Sequence, residues 1–286
     1  MMMRPIHVFS LIAGLAWACG PSFDGPEAVT DLRVFAVQAT PPEIIYPAVP
    51  PAEAETEITF LVVNPEAPAV PVDWRLTGCV LLDDGRCDPA MEVPLAEGSG
   101  PLGEISAAVL LPKALIDASF DADVYRGIFG AAVWIQGVVV QEGEPEARFI
   151  KSLVLSPDYG IGRAPNQNPW LEGIHAGDEG EEEPVELDRD GALRVAAGEK
   201  VRLLPVSPEE TREHYVVPAF EFEGELDPAA LAAGELPDVT FTTEELDEEL
   251  VFHFYTSIGS LSTGSKAEGI NVILEGDKDR EERDLS

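Results

Sequence analysis

Apolar residues in the first half of the chain alternate with polar ones, in short runs separated by prolines and glycines. In one run Val72, Trp74 and Leu76 alternate with Asp73 and Arg75, so the three apolar side chains share one face of a strand. Such alternation is typical of antiparallel sheets with one buried face. The strands predicted here are Leu32–Val37, Glu57–Val63, Val72–Leu76, Ile105–Leu111, Val133–Val140 and Arg148–Leu155. The last two form a predicted hairpin, and residues 112–126 contain a predicted helical turn.

The second half also contains short apolar runs separated by prolines and glycines, at less regular intervals. Predicted strands are Leu193–Val195, Ala197–Leu203, Glu213–Phe222, Val239–Phe241, Leu250–Ser262 and Ile270–Leu274, and Trp170–Ile174 is a further candidate. Residues 158–184 form a predicted linker with an acidic loop at 178–183, and residues 276–286 form a charged, disordered tail. About 265 residues after a leader are enough for two domains.

The start of the chain has the organisation of an export signal. Arg4 is its one charge, an interrupted apolar region runs from residue 6 to residue 16, and Ala16-Trp17-Ala18 precedes Cys19. The apolar region is shorter than the ~20 residues that a membrane-spanning helix needs. We expect residues 1–18 to be a cleaved signal peptide.

A cysteine at the first position after the cut resembles the lipid acceptor of bacterial lipoproteins, although Ala16 stands where those signals carry leucine. The resemblance implies a lipid on Cys19, a flexible tether over residues 19–30, and attachment to a membrane through that lipid. Gly20 is not the aspartate that retains such proteins at the inner membrane, which implies an outer-membrane lipoprotein, facing the periplasm or the surface. Cleavage without lipid also fits, because Ala16 and Ala18 match the A-x-A pattern, and the protein would then be secreted.

The three cysteines are Cys19, Cys79 and Cys87. With Cys19 lipidated, Cys79 and Cys87 form an even pair, as expected in an oxidising compartment. The Asp83-Asp84-Gly85 turn between them predicts a local hairpin disulfide after the Trp74 strand. A lone C-x7-C pair does not indicate zinc, since no second cysteine or histidine pair accompanies it.

Two short segments and two aromatic residues resemble immunoglobulin-like domains. Gly198-Glu199-Lys200-Val201-Arg202-Leu203 is similar to the PGExVxL entry into the second strand of such domains, and residues 57–60 are a weaker copy. Trp74 and Phe254 occupy the place of the third-strand tryptophan. The whole pattern resembles uncharacterised bacterial envelope lipoproteins with tandem immunoglobulin-like domains.

This resemblance implies an all-β protein with two immunoglobulin-like β-sandwich domains in tandem after the signal peptide. The first covers residues 31–157 and the second residues 185–275. The second is expected to be incomplete, because no sequence for the last two strands of such a domain follows Asn271.

The charge of the chain limits its partners. It has 18 basic and 53 acidic residues and a net charge of −35. A nucleic-acid partner is not expected, because phosphate binding needs clustered lysine and arginine. Abundant carboxylates suit either a solvated surface or calcium sites.

The calcium candidates are Asp188 and Asp190, which begin a sequence like a calcium loop with Glu199 at its twelfth position. They are weak candidates, because Ala192 is no ligand and Leu193 stands where glycine is required. His175, His214 and His253 lie about 40 residues apart and form no zinc motif. No cofactor is expected.

No nucleophile, dinucleotide or metal-hydrolase motif occurs in the chain. The sequence therefore predicts a non-catalytic, lipid-anchored envelope protein, acting as a spacer or as a binding module for an unknown envelope protein or glycan. Binding would use loops at the sandwich ends or an edge strand. The alternatives are a calcium-stabilised, adhesin-like secreted protein and an accessory domain of a secreted hydrolase.

Overall fold

The structure of the protein is a computed structural model. It describes residues 29–47, 49–82, 85–122, 130–158, 164–178, 185–186, 195–196, 198–208, 214–222, 239–247, 251–253, 260–261, 265–267 and 272–275. The elements before residue 160 are β1 Arg33–Thr40, β2 Glu43–Tyr46, β3 Glu53–Val63, β4 Val72–Cys79, a 3₁₀ turn Pro89–Met91, β5 Val93–Gly100, β6 Gly103–Pro112, α1 Lys113–Asp121, β7 Ala131–Gln141 and β8 Ala147–Pro157.

The elements after residue 160 are β9 Gly173–Asp178, β10 Val185–Glu186, β11 Lys200–Val206, β12 His214–Phe222, β13 Val239–Asp247, β14 Val251–His253, β15 Ser260–Leu261, β16 Ser265–Ala267 and β17 Val272–Glu275. Strands dominate, and α1 is the one α-helix of the described residues. The predicted all-β class is confirmed.

Two sheets make up the first half of the molecule. One has the strand order β1-β3-β6 and is antiparallel throughout. The other has the order β2-β8-β7-β4-β5, in which β2 runs parallel to β8 and the remaining pairs are antiparallel. The chain enters one sheet with β1 and the other with β2, after a cis Thr40–Pro41 peptide.

One apolar core lies between these two sheets. The alternation of β3 is regular, since Ala54, Thr56, Ile58, Phe60 and Val62 are all buried and the residues between them are not. Strands of both sheets supply the core, whose fully buried members include Leu76, Leu111, Ile135, Leu153 and Leu155. Burial of this face is the main stabilising contribution to the fold.

Three aromatic rings join the two sheets inside the core. The Phe60 ring contacts Trp74 edge-on, with 5.8 Å between ring centroids, and Phe149 at 5.1 Å. Trp74 pairs across the strands with Gly98, where a Cβ would lie 2.6 Å from the tryptophan ring. Glycine at position 98 is therefore what lets the ring lie flat over the neighbouring strand.

A buried amide pair connects the two sheets at one end. Asn64 follows β3, Gln141 ends β7, and each side chain is 1% exposed. The Asn64 Nδ2 donates to Gln141 Oε1 at 2.7 Å, and Gln141 Nε2 donates to the carbonyl oxygens of Ala67 and Val70 at 3.0 and 2.7 Å. The amides thereby fix the loop from β3 to β4, because a buried polar group needs a partner.

The predicted strands of the first half are all present, with longer bounds. Two strands were not predicted: β2 is only four residues long, and β5, with the sequence VPLAEGSG, has little β-branched or aromatic content. The predicted helical turn is the nine-residue helix α1, which buries Leu115 and Ile116 against the sandwich.

The second half contains three sheets among its described residues. They have the orders β10-β9-β11-β17-β15, β12-β13 and β14-β16. Strand β9 lies inside the stretch 158–184 predicted as a linker, and it pairs with β11 over six residues. Part of that stretch therefore belongs to the second region's largest sheet.

Two further expectations for the second half were wrong. Leu250–Ser262 was predicted as one strand, whereas β14 and β15 pair with different partners, β16 and β17. The strand predicted at Val239–Phe241 was too short, because β13 continues through Glu244 and Glu245 to Asp247. Pairing with β12 along nine residues outweighs the low strand propensity of these acids.

The connection after β8 is held against the two-sheet sandwich that precedes it. Glu43 of β2 is 7% exposed and its Oε2 accepts a hydrogen bond from the backbone N–H of Asn166 at 2.8 Å. Asn168 Nδ2 donates to the Ala39 carbonyl oxygen at 2.6 Å. These contacts fix the first part of the predicted linker to the point where the chain passes from β1 to β2.

Candidate binding surfaces

The inner and outer faces of the five-stranded sheet follow from its register. Val133 and Ile135 of β7 are buried in the core, so the residues between them point away from it. On the outer side the register pairs Ala132 with Val154, Trp134 with Ser152 and Gln136 with Ile150.

The centre of this outer face is uncharged and largely apolar. Trp134 is partly exposed and lies diagonally between Ile150, which is 44% exposed, and Val154, which is 37% exposed. Diagonal neighbours on adjacent strands are within reach of an aromatic side chain. Thr77, Gln136 and Ser152 supply hydroxyl and amide groups beside them. We call this group the tryptophan face: Thr77, Ala132, Trp134, Gln136, Ile150, Ser152 and Val154.

Charged residues of both signs border the tryptophan face. One row across the strands reads Glu97, Arg75, Val138 and Arg148. Arg148 Nη2 forms an ion pair with Glu146 at 2.6 Å, and the next row contains Asp73 beside Val140. The arginines are exposed, whereas Val138 between them is 6% exposed. This arrangement is consistent with arginine stems covering an apolar side chain.

The disulfide hairpin closes the other end of the tryptophan face. Cys79 is the cross-strand neighbour of Trp134 and is bonded to Cys87, with 5.4 Å between the Cα atoms, in agreement with the predicted staple. Backbone hydrogen bonds from Leu82 to Arg86 and from Asp88 to Val80 complete the hairpin. A short covalent loop of this kind restricts the conformations of the segment next to Trp134.

The outer face of the three-stranded sheet has a different composition. The alternation of β3 places Glu53, Glu55, Glu57, Thr59 and Leu61 on it. Glu104 faces Leu61 across the strands, and Thr59 Oγ1 lies 2.8 Å from Ser106 Oγ. At one end Arg33 is ion-paired with Asp31 at 2.7 Å. We call this the glutamate face.

An open groove of about 490 Å³ crosses the glutamate face. It is lined by Thr40, Pro41, Glu55, Thr56, Glu57, Ala108, Val109 and Leu110. Thr56 is hydrogen-bonded to the Pro41 carbonyl oxygen at 3.0 Å. The groove thus combines two exposed carboxylates with apolar strand residues.

Several residues singled out in the sequence lie outside the described residues. These are Cys19 and the calcium candidates Asp188 and Asp190. His175, His214 and His253 belong to β9, β12 and β14, which lie in three different sheets. Within the described ranges, no group of three or more histidine, cysteine, aspartate or glutamate side chains is arranged to hold a metal ion.

The tryptophan face was not among the sites predicted from the sequence. Its signal was present in β7, where Val133 through Ile135 and Val138 through Val140 place apolar residues in both phases of the alternation. A strand that is apolar on both faces indicates that its outer face is covered by another surface instead of water.

Among the described residues, no helix is both long and apolar enough to cross a membrane.

Comparisons with known proteins leave the family open. No protein-family model matches the chain, and no curated protein matches it. Among solved structures it is similar to Spo0M, a sporulation control protein from Bacillus subtilis, at 10% identity over 76% of this chain and 91% of that one. The TM-score of 0.26 is too low for that likeness to support a statement about fold or function.

Proposed function

We propose that this protein is a lipid-anchored, non-catalytic binding module of the bacterial envelope, built from tandem immunoglobulin-like sandwiches, whose binding surface is the tryptophan face. The single observation that carries the binding role is the composition of that face. It has an uncharged apolar centre around a partly exposed tryptophan and a border that contains arginines.

The strand order of residues 31–157 supports the immunoglobulin-like assignment. Sheets β1-β3-β6 and β2-β8-β7-β4-β5 correspond to strands A, B and E packed on A′, G, F, C and C′. Trp74 lies in strand C and contacts the core, as in that fold. The disulfide differs, because it staples a hairpin instead of joining two sheets.

For residues 185–275 the support is local. The segment that resembles the second-strand motif forms β11, which pairs with β9 on one side and with β17 on the other. The resemblance implies that this strand lies inside a sheet with a neighbour on each side, and β11 has two such neighbours.

The face favours a protein over a glycan as the partner. The centres of protein interfaces are enriched in tryptophan and depleted of charge, and their rims are polar. Arginine is likewise frequent at such sites, and both Arg75 and Arg148 border the tryptophan face.

The net charge of −35 makes an acidic lipid surface an unfavourable partner for the rest of the chain.

The anchor is tested by the intact mass of the protein isolated from its own bacterium. The proposal predicts residues 19–286 plus a diacylglycerol or triacyl group, and solubilisation of the Cys19→Ser variant. An unmodified mass from residue 19 would contradict the anchor and leave an exported, soluble protein.

The binding role is tested by native gel electrophoresis of detergent-solubilised envelopes. We expect the wild-type protein to migrate in a complex that the Ile150→Arg variant does not form. The matched control is Leu61→Arg on the glutamate face, because Leu61 is 38% exposed and Ile150 44%. Loss of the complex in neither variant, or equally in both, would contradict the proposed surface.

A further inference from the structure

We propose that the partner bound by the tryptophan face is a second copy of this chain, so that the protein is a two-fold symmetric dimer through its five-stranded sheet. This inference rests on the proposed function and names its partner. Three features support it: the area of the sheet around the tryptophan face, the uncharged centre of that face, and the balance of charge at its border.

The area is close to what a stable dimer needs. Strands lie about 4.8 Å apart and rise about 3.3 Å per residue, so each residue covers roughly 16 Å² of a sheet face. Strand β2 is covered by the connection after β8, and the other four strands, of eight to eleven residues each, present a flat area on the order of 600 Å². Side-chain relief increases the accessible area toward the ~800 Å² per partner of a standard interface.

The centre of the face is suited to contact with itself. Trp134, Ile150 and Val154 form an apolar group in which each side chain keeps part of its surface in water. In a two-fold interface the same patch is used by both copies. An apolar patch therefore meets an apolar patch, and neither copy has to bury a charge at the centre.

The border of the face allows this contact although the chain as a whole is strongly acidic. Two copies, each with a net charge of −35, repel one another on most approaches. The exposed charges around the tryptophan face are Arg75 and Arg148 against Asp73, Glu97 and Glu146. Glu43, beside Val154, is 7% exposed and accepts a hydrogen bond from the Asn166 backbone. Of the two outer sheet faces described here, this is the one on which the charges nearly cancel.

The glutamate face is the contrasting case. The charged residues of its three strands are the glutamates at positions 53, 55, 57 and 104 and Arg33, which is ion-paired with Asp31. Two copies meeting there would bring like charges together without compensation. Charge complementarity therefore selects the five-stranded sheet for self-association.

The test is sedimentation velocity of residues 19–286 carrying Cys19→Ser, from 1 to 100 µM, so that neither a lipid nor a Cys19-linked dimer contributes. We expect a reversible dimer whose dissociation constant rises at least tenfold with Ile150→Arg and less than twofold with Leu61→Arg. A monomer up to 100 µM, or equal effects of the two substitutions, would overturn the inference.

A second variant guards against misfolding. Arg148→Glu reverses an exposed border charge and breaks its surface ion pair with Glu146, so circular dichroism should match the parent and thermal melting should fall only slightly. The border becomes more acidic, and dimerisation should weaken. An unchanged dimer in that variant would overturn the role of the charge balance.

If the purified chain is monomeric but the envelope complex still depends on Ile150, the inference fails while the binding function stands. If no envelope complex depends on Ile150, both fail.

Discussion

The two outer faces of the sandwich formed by residues 33–157 differ, although one core supports both. The five-stranded sheet exposes Trp134, Ile150 and Val154 within a border of mixed charge, and the three-stranded sheet exposes a row of glutamates. The inner faces are alike in being apolar and buried. The difference shows that the alternation which builds the fold constrains only one side of each strand.

The residues that the core does not constrain give the two outer faces different chemistry. On β3 three of the six outer positions are glutamate, which keeps the sheet solvated and repels other acidic surfaces. On β7 the outer positions include Trp134, Val138 and Val140, which water solvates poorly. We expect the two faces to respond differently to the same kind of substitution.

The largest loss of stability is expected from a substitution in the core, on which both sheets pack. Phe60→Ala removes a ring that is 1% exposed and contacts both Trp74 and Phe149, so unfolding free energy should fall by about 3–5 kcal/mol. Urea denaturation measures this, with the neighbouring Leu61→Ala as the control, which should change stability by less than about 0.5 kcal/mol. Equal losses for the two variants would contradict the placement of the core.

The second-largest effect is expected at the disulfide hairpin, which borders only the tryptophan face. Replacing both Cys79 and Cys87 by alanine opens the hairpin beside Trp134 and should lower stability by about 2–3 kcal/mol, because the unfolded chain loses a covalent loop. Thermal melting of the double variant and of the reduced wild type should agree. If stability is unaffected in both, the hairpin does not depend on its disulfide.

The buried amide pair of Asn64 and Gln141 should contribute somewhat less to stability. Gln141→Leu leaves Asn64 Nδ2 and two loop carbonyl oxygens without their partner, which should cost about 1–3 kcal/mol. The double variant with Asn64→Leu should lose less than the sum of the two single changes, as expected for directly contacting groups. Strict additivity in urea denaturation would contradict a shared network.

The smallest effect concerns the glutamate face. Glu55→Gln with Glu57→Gln relieves repulsion between neighbouring carboxylates on one strand face, and should raise stability by about 0.2–0.5 kcal/mol at low salt. The gain should shrink in 0.5 M NaCl because salt screens exposed charges. A gain that does not depend on salt would have another origin.

The fold of the first half could be predicted from sequence wherever alternation was regular. Residues 57–63 and 72–76 alternate, and both belong to strands with buried inner faces. Strand β5 was missed because Pro94, Gly98 and Gly100 weaken its local preference, and pairing with β4 determines its conformation. Residues 250–262 were joined into one strand because local pattern does not reveal which partner each part pairs with.

The candidate surface could be predicted only in part. The disulfide was predicted from the spacing of Cys79 and Cys87 together with the expected oxidising compartment, and the structure contains it. The tryptophan face combines residues from β4, β7 and β8, and their proximity depends on strand order and register, which one strand's pattern does not contain.

The most direct test of the central claim is site-specific photocrosslinking in the cells that produce the protein. A benzoylphenylalanine is placed at position 150 on the tryptophan face or at position 61 on the glutamate face, and the products are identified by mass spectrometry. The account predicts a discrete crosslinked species from position 150, with the mass of two copies of this chain, and none from position 61. No product from position 150, or the same product from both positions, would contradict it.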